Sequence, residues 1–550
     1  MKEQKNSPLI WMPIAIAIAV VAGILIGENL TGVRSGASRF LGTDHDRKLN
    51  TILNLVAEDY VDTIDIDDLI ETSIPDILAN LDPHTVYIPA KDLRAVNEEL
   101  DGSFSGIGVS FTLINDTITV IEVLSGGPSE KVGLMAGDRI VTIDDSVCTG
   151  RHITQEEVQS RLKGPKGTTV NVGIVRSSSP DILQFEITRG DVAVHSVDCH
   201  YMLDKQTGYI KINKFGRTTY DEFLSALLGL RNNGAKQYVI DLRGNAGGYM
   251  EMAILMANEF LPAGELIVYT KGREHRTDTQ VWSDGNGSFQ DSELVVLMDE
   301  YSASASEIFA GAIQDNDRGL IVGVRSFGKG LVQRQIDLPD SSALRITIAR
   351  YYTPSGRCIQ KDYNNGSSDY NREVYERYNS GELYNRDSIH VDEQNIFMTA
   401  HGRRVYGGGG ILPDIFVAAD TTGYTPYYIA VVNAGLLQKF AFSYTDINRA
   451  ALSELTDYKH LMRVMPSNEA LLSDFVSFAA DAGVQPRWYF ISLSHDIILT
   501  QLKALIARDV FGAEAFYPIY NRNDRTIEAA MRALSDHRAA FPIVAEDDAK

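Results

Sequence analysis

From Val192 to about Thr422 the chain alternates between short apolar runs and amphipathic stretches, and no other feature limits its fold so strongly. "GYIKINKF" and "QYVIDL" read as strands, while "YDEFLSALLGLRNN" and the residues around "MEMAILMANEF" read as helices. "ELVVLM" is a further strand that runs into a helix beginning near Ser304. Strands and helices taking turns in this way build an α/β core.

The flanks differ from that core. Between Asp101 and about Gly190 the runs "GVSFTL", "TITVIEVL", "DRIVTID" and "TTVNVGIVR" are short strands punctuated by Gly and Pro, which predicts a compact β-rich module. Residues 31–99 read as mostly helical, with Leu49, Ile52, Leu53 and Val56 in helical spacing. After Thr422 the pattern is helical to the end, clearest in "SNEALLSDFVSFAADAG" and "DRTIEAAMRALSDH". The expected divisions are 1–30, 31–99, 100–190, 191–422 and 423–550. A polar, tyrosine-rich insertion over 362–402 is expected to be a surface excursion.

Composition narrows the function. At 550 residues the chain has room for two to four domains. A net charge of −22 without a basic stripe repels phosphate backbones, which argues against nucleic acid as a partner. Cys148, Cys199 and Cys358 are too far apart for a Cys-x-x-Cys site, so neither a metal centre nor a disulfide framework is expected. After Lys2 and Lys5, Leu9 to Gly27 is apolar throughout and long enough to span a hydrocarbon core of ~30 Å. It predicts an uncleaved N-terminal transmembrane anchor, with everything after Glu28 outside the cytoplasm, in the periplasm of a diderm bacterium.

"YSASASEIFAGAIQ" places three serines at a strand-to-helix turn, with Ala305, Ile308, Phe309 and Ala312 on one helix face. Ser304 at that turn is either a helix cap or a nucleophile beside exposed backbone N–H groups. A nucleophilic serine needs a base, and no Gly-x-Ser-x-Gly elbow or adjacent histidine provides one. Downstream, "SFGKGLVQ" holds Lys329 between glycines and Gln333 four residues later. To act near neutral pH such a lysine must drop by about 3 from a pKa of ~10.4, a bias of ~4 kcal/mol that burial can supply. Taken singly, each motif has an ordinary structural explanation.

Together, "SASASEIFAGAIQDNDRGLIVGVRSFGKGLVQ", "YVIDLRGNAGGYM", "YYTPSGRCIQ" and "GGGGILPDI" resemble the carboxyl-terminal processing peptidases, or tail-specific proteases, over about Asp46 to Val417. The resemblance implies a crotonase-like α/β protease core. It implies Ser304 as nucleophile, Lys329 as general base and Gln333 as its support. It also implies that Gly247 or Gly248, with the N–H of Ala305, forms the oxyanion hole, without metal or other cofactor. In the β-rich module "FSGIGVSF" resembles the carboxylate-binding loop of PDZ domains, so Gly106, Ile107, Gly108 and Val109 would receive a peptide's C-terminal carboxylate. The implied partners are flexible or unfolded C-terminal tails of proteins, and residues 423–550 could serve a homodimer or an adaptor. Two other classes share these features: a non-catalytic PDZ scaffold, and a carrier of lipophilic ligands on a related fold. "SRLK", Ser160 to Lys163, matches a Ser-x-x-Lys pattern but lacks the Ser-Asp-Asn and Lys-Thr-Gly partners of penicillin-recognising enzymes.

Overall fold

The computed structural model describes residues 44–540 and 542, apart from 115, 125, 151, 177 and 178. The apolar segment from Leu9 to Gly27 lies outside the described residues. The chain forms two compact units, 1–77 and 78–550. Helices Asp44–Asp59 and Ile66–Leu78 belong to the first, the second of them running through Pro75. Leu49, Ile52 and Leu55 on the earlier helix are exposed.

At the centre of the second unit lies a six-stranded sheet. Its strands are Val197–Met202, Thr207–Ile212, Gln237–Asp241, Glu293–Met298, Leu320–Gly323 and Ile415–Phe416, in that spatial order. The first pair is antiparallel and the remaining pairs are parallel. Parallel strands covered on both faces need apolar residues at every position, which is why "LVVLM" shows no alternation. Ile210, Ile240, Val296 and Ile321 point into one core, packed by helices Thr219–Asn232, Met250–Asn258 and Ala305–Asp315. Tyr209, Val239, Val295, Leu297 and Val322 point into the other, where helix Arg525–Ser535 lays down Ile527, Ala530 and Leu534. One part of the C-terminal segment thus covers the back of this central sheet. Asp524 fastens it there, capping the helix through the N–H groups of Thr526 and Ile527 and accepting Arg243 Nη1 at 2.7 Å.

A second, antiparallel sheet is organised by the long strand Ala343–Tyr352. It pairs with Val86–Ile88, Leu266–Gly272 and Leu331–Asp337, and Thr279–Trp282 pairs with Leu266–Gly272. Val86–Ile88 falls in a stretch whose sequence reads as helical. Three residues are too few to show a period, and their partners Ala343–Arg345 lie far along the chain.

The β-rich module is a sheet in the order Val109–Ile114, Thr117–Val123, Arg139–Ile143, Thr169–Val175, Leu183–Thr188, with helix Gln155–Leu162 sharing its core through Val158 and Leu162. A two-stranded ribbon, Ser103–Gly106 with Gly190–Ala193, forms where the chain enters and leaves the module. After residue 425 a separate helical core gathers around Trp488–Phe511. That helix is the one among the described residues long and apolar enough to cross a bilayer, yet Ile491, Ile498, Leu502 and Ile506 are buried against neighbouring helices. The tyrosine-rich insertion is more than a surface excursion. It contains helix Ser367–Ser380, whose Tyr370 and Arg377 are buried, because their polar ends find partners in the core.

Candidate active site

Helix Ala305–Asp315 is buried along its whole length, so its first turn is held rigidly beneath a surface cleft. Ser304 enters it at φ 57° and ψ −113°, a strained conformation for a residue with a Cβ. The three serines of the turn have different fates. Ser302 is buried and donates from Oγ to Leu242 O at 2.9 Å, and Ser306 is buried and donates to Asn245 O at 2.9 Å. Ser304 alone is partly exposed, and it lines a cavity of about 770 Å³.

Lys329 and Gln333 line the same cavity. Lys329 sits on the loop before Leu331–Asp337, and Gln333 on that strand opposite Thr347. The amine donates to Gln333 Oε1 at 2.9 Å, and no hydrogen bond joins it to Ser304 among the described residues. Gln333 Nε2 in turn donates to the carbonyl of His84. Burial pulls the Lys329 pKa below its ordinary value, and the nearby Arg345 pulls it further. Burial, with Lys329 second, likewise lowers His84 to about 4.

Gly247 and Gly248 form the wall beside Ser304. Both have positive φ, 101° and 143°, and a Cβ at Gly247 would lie 2.7 Å from Ser304 Cβ and 2.9 Å from Ala305 N. The Gly247 N–H is committed to Asn245 Oδ1 at 2.8 Å. Gly248 is exposed, and neither its N–H nor that of Ala305 has a hydrogen-bond acceptor among the described residues. The Asp241–Arg243 pair of "DLRGN" is structural. Burial pushes the Asp241 carboxyl up, but Arg243 and Lys211 outweigh it and hold it well below the usual carboxylate range.

Two residues that sequence reasoning passed over tie the serine turn to the lysine loop. Glu307 is fully buried. Its Oε2 accepts the N–H groups of Ser304 at 2.8 Å and Lys329 at 2.9 Å, and its Oε1 accepts Gly328 N–H at 2.7 Å and Ser326 Oγ at 2.6 Å. Burial raises its pKa, against the pull of those bonds. Tyr351 Oη meets the carbonyls of Ser304 at 3.1 Å and Lys329 at 2.6 Å. A glutamate three residues after a helix-start serine was the available signal for Glu307; for Tyr351 there was none.

The glycine loop of the β-rich module stands apart from this cavity. Gly106, Ile107 and Gly108 are buried and Val109 is half-buried, with Gly108 at φ 77°. The following strand, Val109–Ile114, is at the edge of its sheet, with Thr117–Val123 as its single neighbour among the described residues. Its outer edge is thus free to take another strand. Ser160 bonds back to Glu157 O and Lys163 pairs with Glu98 at 3.0 Å, so "SRLK" assembles no site.

Residues 206–366 match peptidase family S41, residues 105–188 match the PDZ domain, and residues 427–512 match a family of unknown function. The carboxy-terminal-processing protease of Bartonella bacilliformis is 36% identical over 318 residues, 57% of this chain and 72% of that protein. The carboxyl-terminal-processing protease of a Picosynechococcus species is 35% identical over 297 residues, 52% of this chain and 70% of that protein. Among solved structures, the photosystem II D1 C-terminal processing protease is 26% identical, covering 68% of this chain and 94% of that one with a TM-score of 0.34.

Proposed function

We propose, starting from the fact that this chain belongs to the carboxy-terminal-processing proteases of peptidase family S41, that it is a serine endopeptidase working through Ser304 and Lys329. The observation that carries the reading is the opening of one partly exposed serine at a buried helix start, out of three in the turn, onto the same cavity as a half-buried lysine. In this reading the Lys329 amine swings from Gln333 to take the proton from Ser304 Oγ as that oxygen attacks the scissile carbonyl. Burial favours the neutral amine needed for this step. The resulting oxyanion is held by the N–H groups of Gly248 and Ala305, since that of Gly247 is already committed. Lys329 then passes its proton to the leaving amine, which frees the new C-terminal fragment. Water, deprotonated by the same lysine, hydrolyses the acyl-serine.

The PDZ module supplies recognition. A substrate tail adds as a strand along Val109–Ile114, with its terminal carboxylate at the N–H groups of Ile107, Gly108 and Val109. We place the crotonase-like protease core at 191–422 and the tail-binding module at 100–190, with the enzyme anchored by its N-terminal segment and facing extracytoplasmic substrates. The test is Ser304→Ala, which should abolish cleavage of an unfolded reporter and labelling by a serine-directed probe while the circular dichroism spectrum stays unchanged. Cleavage by that variant would assign the chemistry elsewhere, whereas a wild-type chain that neither cleaves nor labels would favour the scaffold or carrier readings.

A further inference from the structure

We infer that helix Ser367–Ser380 of the tyrosine-rich insertion is a positioning element for the general base: Arg377 holds the loop that carries Lys329, and Tyr370, through His84, holds the Gln333 amide that receives the Lys329 amine. The inference rests on Lys329 being the base.

Arg377 is buried, with its side chain 2% exposed. Its Nη1 donates to Ser326 O at 2.7 Å and its Nη2 to Phe327 O at 3.2 Å, while Glu373 takes Nε at 2.6 Å. Glu373 also pairs with Lys361 at 3.1 Å, and the Lys361 ammonium lies 3.9 Å from the Phe327 ring centroid and 4.2 Å from that of Tyr370. Such cation–π contacts fix the face of Phe327, two residues before the base. The loop is therefore gripped from two sides by opposite charges. Glu307 collects the N–H groups of Gly328 and Lys329, and Arg377 collects the carbonyls of Ser326 and Phe327. The backbone N–H of Lys361 donates to Gly328 O at 2.9 Å and Tyr351 Oη donates to Lys329 O, so every carbonyl from Ser326 to Lys329 has a donor. A forked guanidinium suits two successive carbonyls better than a lysine does.

The same helix reaches the other end of the Lys329–Gln333 pair. Tyr370 Oη lies 2.8 Å from His84 Nε2, the two rings meet edge to face at 5.2 Å, and the His84 carbonyl accepts Gln333 Nε2. Arg377 and Tyr370, both outside the stretch that matches family S41, thus brace the amine from its loop side and its acceptor side.

The experiment compares Arg377→Met, Arg377→Lys and Tyr370→Phe in the full chain, reading kcat, KM and the pH dependence of kcat/KM on a peptide substrate, with Lys329→Arg as control. Arg345, Glu307, Asp82 and His84 face the amine, and Arg377, Glu373, Lys361 and Arg325 surround its loop; of these the variants alter Arg377 alone. Arg377→Met should lower kcat about tenfold or more with KM within about twofold, and its rate should rise only at higher pH, because a loosened loop lets water reach the amine. Arg377→Lys should recover part of the loss. Tyr370→Phe, which removes one hydroxyl and little packing, should move the pH limb in the same direction by a smaller amount. An unchanged limb in both Arg377→Met and Tyr370→Phe, whether or not stability falls, would overturn the positioning role; if Arg377→Met does not fold, Tyr370→Phe decides alone. Turnover by Lys329→Arg would instead defeat the base assignment itself.

Discussion

Glu307→Gln tests whether one buried carboxylate holds the two halves of the site together. The carboxylate accepts four hydrogen bonds, two on each oxygen. An amide keeps one oxygen and replaces the other by a donor. Ser326 can rotate its hydroxyl to accept, so the amide nitrogen should settle on the side of Oε1, leaving the Gly328 N–H without a partner. That orphaned donor costs about 1–3 kcal/mol, and losing the charge from the two bonds that remain adds roughly another 1 kcal/mol. The sum is about 2–4 kcal/mol, concentrated at the joint between Ser304 and Lys329. If even 2 kcal/mol of it appears in the transition state, the rate falls about 30-fold. The assay is the second-order rate of Ser304 labelling by a fluorophosphonate probe, alongside thermal unfolding and hydrolysis of an unfolded reporter. Glu307→Gln with the labelling rate and melting curve of the wild type would refute the account, because it would mean the carboxylate ties nothing that the chemistry needs.

Lys329→Arg should be as inactive as Lys329→Ala, since a guanidinium stays protonated and cannot accept the serine proton; reporter cleavage measures it. Because burial lowers the Lys329 pKa, kcat/KM should rise with pH through a value below 10.5, and in the window between that value and 10.5 the unfolded lysine binds the proton that the folded one has released, so stability also rises with pH. A limb at or above 10.5 would show an exposed amine. His84 is lowered from 6.5 to about 4, so stability should fall as pH drops from 6.5 to about 4, and His84→Asn should flatten denaturation midpoints over that range. A substrate peptide with a free C-terminus should be recruited better than its amide, and Gly108→Val should remove the difference. At φ 77°, with Gly127, Pro128 and Val192 each 3.3 Å from a built Cβ, that loop has no room for a side chain; equal kinetics for acid and amide on the wild type would count against tail binding there.

Much of this molecule is decided by short-range chemistry. The buried runs "YVI" and "LVVLM" are apolar at successive positions because both faces of their sheet are covered, so strand and α/β class could be seen from the residues. Ser304, Lys329 and Gln333 could be singled out because turn, glycine flank and i, i+4 spacing are local properties. The differing fates of Ser302, Ser304 and Ser306 could not. Their exposure depends on Leu242 and Asn245, some sixty residues earlier, arriving to take two of the three hydroxyls. The choice between Gly247 and Gly248 likewise rests on the Asn245 side chain turning back on one N–H. Glu307 offered the sequence no more than a capping spacing that was passed over, and Arg377 fell inside the polar insertion, because a charge reveals its burial only once its partners are assembled around it. What the tertiary structure alone decided is the convergence of both on the backbone of one loop. Long-range hydrogen bonds to main-chain groups leave no side-chain pattern, so the position of Lys329 is written in contacts rather than in composition.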